Sequence, residues 1–61
     1  MDNQRQRIVA IHAAVLHAGR RNHLKPERTE SLFWAALDRW RAGMSAGMTI
    51  AIVHKEAEAF R

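Results

Sequence analysis

Apolar residues recur at helical spacing in three stretches of this chain, and in 61 residues those stripes have little to be buried against except one another. The first stretch carries Ile8, Ile11 and Val15 on one line, widened by Val9 and Leu16, with Asp2 or Asn3 placed to cap its start. Gly19 follows the last periodic residue, where a left-handed terminator is common, and Arg20 and Arg21 behind it complement the helix dipole. The second stretch begins at Lys25-Pro26-Glu27, because proline at the first helical position gives up an N–H that has no helical partner anyway. Leu32, Phe33, Ala36, Leu37, Trp40 and Met44 form its apolar face. Glu27 and Glu30 near its start and Arg39 and Arg41 near its end agree with the dipole, and Gly43 supplies the stop.

The third stretch has two possible starts. Ser45 caps a helix that contains Gly47, or Thr49 caps a shorter one. Its stripe is Ile50, Val53, Ala57 and Phe60, and Ala46 adds a turn in the longer version. A strand over Thr49 to Val53 suits the branched residues of TIAIV but has no second strand to pair with. The expected fold is all-α: a small three-helix bundle with helices over about 2–18, 26–42 and 46–60, one domain over 1–61, closed within one chain or completed by dimerisation.

A domain of this size buries only about 60% of the surface its unfolded form exposes, so outside help with stability is expected. The chain has no cysteine, which removes disulfides and thiolate zinc sites and leaves homodimerisation as the leading aid. No apolar run approaches the roughly 18–20 residues that span a bilayer, so a soluble, cytoplasmic protein without a membrane partner is expected. Ten lysines and arginines against six acids give a formal charge of +4, which favours anionic partners.

Trp34 points away from the apolar face of its own helix, together with Glu30, Asp38 and Arg41. One reading is that the central helix is wrapped so broadly that both tryptophans are core. The other is an interface anchor, with Trp34, Asp38 and Arg41 as the protein-binding patch, since tryptophan and arginine dominate binding hot spots. The densest run of charge, Arg20, Arg21, His23, Lys25 and Arg28, falls in and around the first connection. It is either a solvated, dipole-complementing loop or a phosphate-backbone contact through Arg20, Arg21, Lys25 and Arg28, with Arg5 and Arg7 extending the patch. A helix-turn-helix reader fits neither Gly43 nor Gly47 as its turn, so sequence-specific readout is not expected.

His12 lies in the apolar sector of the first helix and His54 borders the Ile50 stripe, which places them to meet as a partly buried, hydrogen-bonded structural pair. The histidine spacings do not match a helical zinc pair, and no metal or cofactor is expected. Ser31 and Ser45 have no evident base, and no glycine-rich phosphate loop or paired carboxylate is present, so an enzyme is not expected. Met44 and Met48, with Met1, read as gap-filling side chains. Two functions follow from these features: a regulatory or accessory protein contacting nucleic-acid backbone through its basic loop, or a protein-interaction module, an adaptor or inhibitor, docking through the Trp34 face.

Overall fold

Helix α1 (Asn3–Arg21) runs through Gly19 without ending there. The computed structural model describes residues 3–60, so capping by Asp2 and the placement of Met1 lie outside the described residues. Gly19 is buried inside the helix, where an added Cβ would meet Thr29 Oγ1 at 2.7 Å and Thr29 Cγ2 at 3.1 Å. This glycine therefore serves close approach of the next helix and not a reversal of the chain. The reversal is made by His23, with φ 56°. Its N–H donates to the Arg20 carbonyl at 3.2 Å, and the Leu24 N–H reaches back to the Gly19 carbonyl at 2.9 Å, which is the bonding pattern of a Schellman cap. Asn22 is buried beside it and donates its side-chain N–H to the Ala18 carbonyl at 2.9 Å, a second bond to an acceptor that already takes the Asn22 backbone N–H at 3.0 Å.

Helix α2 (Pro26–Arg41) starts as expected, with Lys25 extended and Pro26 in the first turn. It closes with the same cap as α1. Gly43 (φ 110°) donates to the Trp40 carbonyl at 3.0 Å and Met44 to the Arg39 carbonyl at 3.1 Å. Helix α3 (Ala46–Ala59) takes the longer of its two possible starts: Ser45 Oγ accepts from the Met48 N–H at 3.2 Å. Thr49 sits one turn inside, buried, donating its hydroxyl to the Ser45 carbonyl at 2.8 Å. TIAIV is thus helical, and the described residues contain no strand. None of the three helices is long and apolar enough to cross a membrane.

All three helices pack against one another. Gly19 meets Thr29 and His12 meets Phe33, so α2 runs back along α1; His17 meets His54, and Ala46 shares a surface hollow with Asn3 and Arg7, so α3 runs parallel to α1. The fully buried centre takes Ile11, Val15 and Ala18 from α1, Leu32 and Ala36 from α2, and Val53 and Ala57 from α3. Phe33, Trp40 and Ile50 pack around it, partly buried. The α1 stripe is narrower than the sequence suggests. Val9 and Leu16 lie outside the core, 61% and 40% exposed, because α3 takes the flank carrying Ala18 and the flank carrying Leu16 is left over.

An ion pair fastens α2 to α3. The two terminal guanidinium nitrogens of Arg39, Nη1 and Nη2, donate to Glu56, one to each carboxylate oxygen, at 2.7 Å. Hydrogen bonding to Glu56 raises Arg39 above the ordinary arginine range; partial desolvation opposes this and the carboxylate charge adds to it. A raised value means that Arg39's contribution is complete below the ordinary arginine value and is lost only as pH climbs through the folded one. Arg39→Ala is expected to lower stability by about 1 kcal/mol, read as a fall in the urea midpoint at neutral pH, with Arg39→Lys recovering only part because it lacks the two-pronged geometry.

Candidate binding surfaces

The side of α1 left free by α3 faces α2 across an open groove of about 650 Å³. Its α1 wall includes His12, Leu16 and Arg20, and its α2 wall Thr29, Glu30 and Phe33. The wall residues of α1 follow from helical spacing: His12, Leu16 and Arg20 recur every fourth position and share one face. His12 lies against Phe33, with ring centroids 4.8 Å apart, and Phe33 lies against Trp34 at 5.4 Å. A run of three rings therefore crosses from α1 over α2 to its outer side. Trp34 ends that run 54% exposed, while Trp40 is partly buried against the core. Asp38 and Arg41 are exposed on the same side of α2, four and seven residues on from Trp34.

The basic residues gather at one end of the bundle, where α1 ends, α2 begins and α3 ends. Arg20, Arg21, Lys25 and Arg28 are all exposed. They do not share one face. Arg20 lines the groove, whereas the Arg28 guanidinium stacks over the Phe60 ring of the α3 cap, 4.5 Å from its centroid. Arg5 and Arg7 do not extend this cluster. At 1.5 Å per residue, Arg5 is about 22 Å along α1 from Arg20, at the opposite end.

The histidines pair differently from the sequence expectation. His12 is exposed and meets Phe33, while His54 meets His17 of α1 at 6.3 Å. The reason is angular: His17 is five residues from His12, which turns it about 140° around the helix to the flank that α3 covers. The buried His12–His54 pair is not formed. Among the described residues no three histidine, aspartate or glutamate side chains gather as a metal site would require. Ser31 donates its hydroxyl to the Glu27 carbonyl at 3.1 Å and Ser45 caps α3, so both serines serve local backbone.

Trp34 lies outside the core, which is one of the two readings of its position on α2; the groove beside it has no counterpart in the sequence expectations. The available signal was the width of the first stripe: Ile8, Val9, Ile11, His12, Val15 and Leu16 cover more of a helix than one neighbour can bury. The chain matches no protein-family model, no curated protein and no solved structure.

Proposed function

We propose that this chain is a small non-enzymatic accessory protein that acts by docking another protein on its α1–α2 face, with Trp34 at the edge of the contact. The observation that carries this reading is the ring run His12–Phe33–Trp34 beside Leu16, exposed at both of its ends: apolar surface collected beside a concavity that Arg20 lines. Cytoplasmic action fits the cysteine-free composition. A second copy seated through the Trp34 side, giving a homodimer, competes for the same face.

Nucleic-acid backbone contact is the second reading, and one observation favours it. Arg39–Glu56 is the one ion pair among the described residues, so Arg20, Arg21, Lys25 and Arg28 are exposed outside any ion pair and outnumber the acids beside them, Glu27 and Glu30, at one end of the bundle. The mechanism in that case is neutralisation of phosphates. Sedimentation of the chain with and without duplex DNA at low and moderate salt separates the readings. Protein docking predicts no DNA complex at moderate salt; a complex that weakens steeply and linearly in log salt supports the phosphate reading in its place.

A further inference from the structure

Resting on the protein-docking reading, we infer that the occupant of the α1–α2 groove is an amphipathic helix of another protein, apolar in the middle and acidic at both ends, and not a second copy of this chain. The outward strip of α1 on the groove side reads Arg5, Val9, His12, Leu16, Arg20: spacings of four, three, four and four keep these residues on one face. Its middle is apolar and aromatic, and an arginine closes each end, about 22 Å apart. Because α2 runs back along α1, Arg41 falls at the Arg5 end. The groove takes the His12 to Arg20 part of this strip, so an occupant lying along the strip meets Arg20 at the groove's limit, apolar surface between, and Arg5 about two turns beyond His12. Glu30, next to Thr29 on the α2 wall, stands near the Arg20 end, because Thr29 lies against Gly19; Arg20, Arg21 and Lys25 outnumber it there and keep that limit positive.

A second copy fits this distribution poorly. It carries the same formal charge of +4 and the same strip, so a two-fold pairing of grooves sets arginine against arginine at both ends whichever way the strips run. An acid-ended helix instead forms ion pairs at both ends, next to apolar surface, while its centre covers Leu16, Phe33 and Trp34.

The test uses two helix-stabilised peptides of about 18 residues, long enough to reach both arginines at 1.5 Å per residue. They share one leucine stripe and differ in ending with glutamates or with lysines. Titration calorimetry is run against the chain, against Leu16→Asp, and against the double variant Arg5→Glu, Arg20→Glu, with circular dichroism checking that each variant is folded. The expected result is that the glutamate-ended peptide binds at least about tenfold tighter, that the charge-reversed variant inverts the preference, and that Leu16→Asp loses both peptides. Equal affinity for the two peptides, lost in Leu16→Asp, overturns the acidic occupant and leaves the docking reading standing. No binding of either peptide overturns both. A homodimer that Leu16→Asp dissolves makes a second copy the occupant and overturns the inference.

Discussion

Ile11→Ala is expected to lower stability by about 2–5 kcal/mol, whereas Val9→Ala, two residues earlier on the same helix, changes it by no more than about 0.5 kcal/mol. Both are branched aliphatic residues of α1, and composition gives no reason to separate them. The fold does. Ile11 is fully enclosed among all three helices, and Val9 is 61% exposed on the flank facing away from α3. For 61 residues the whole stability is of the order of 3–9 kcal/mol, so the Ile11 substitution removes a large share of it. Urea denaturation followed by circular dichroism reads both effects. Equal losses at the two positions contradict the packing described.

Trp34→Ala separates fold from contact. The ring touches Phe33 and is otherwise largely in solvent, so its removal is expected to lower stability by no more than about 1 kcal/mol and to leave helicity intact. Its effect on docking is expected to be larger, about 2 kcal/mol or more, which is roughly a thirtyfold loss of affinity for the glutamate-ended helix. Global unfolding of this variant, or unchanged affinity, removes Trp34 from the working surface.

The three helices were legible because each carries a stripe at helical period and a recognisable boundary. Pro26 opens α2, Gly43 closes it and Ser45 caps α3. Gly19 was not legible. A glycine after a periodic run signals a left-handed turn and a close helix crossing equally well, and only the position of Thr29 opposite it tells which applies. Once Gly19 is taken up by packing, the turn falls to His23, a residue type tolerated in that backbone conformation. The Arg39–Glu56 pair was equally hidden, since its partners lie 17 residues apart on different helices and local charge patterns report only neighbours on one helix.

Of the candidate site, the angle of Trp34 on α2 left both a core and an interface reading open, and its 54% exposure decides against the core. The groove could not be read from the sequence, because it depends on which flank of α1 the third helix covers. Val9 and Leu16 look like core in the sequence and His12 looks like the partner of His54; the position of α3 moves all three to the outside. The basic residues stand close together in the sequence around the first connection, and all four are exposed there. Their division between the groove side and the Phe60 side requires knowing that α3 ends beside the start of α2.

The most direct measurement is a titration of the isotopically labelled chain with the glutamate-ended helix, following backbone amides and the two indole N–H signals by NMR. The account predicts shifts at His12, Leu16, Phe33 and Trp34, including the Trp34 indole, with the Val53 and Ala57 amides in the core of α3 unmoved. Shifts confined to Lys25, Arg28 and Phe60, or a spectrum that does not respond at all, contradict it.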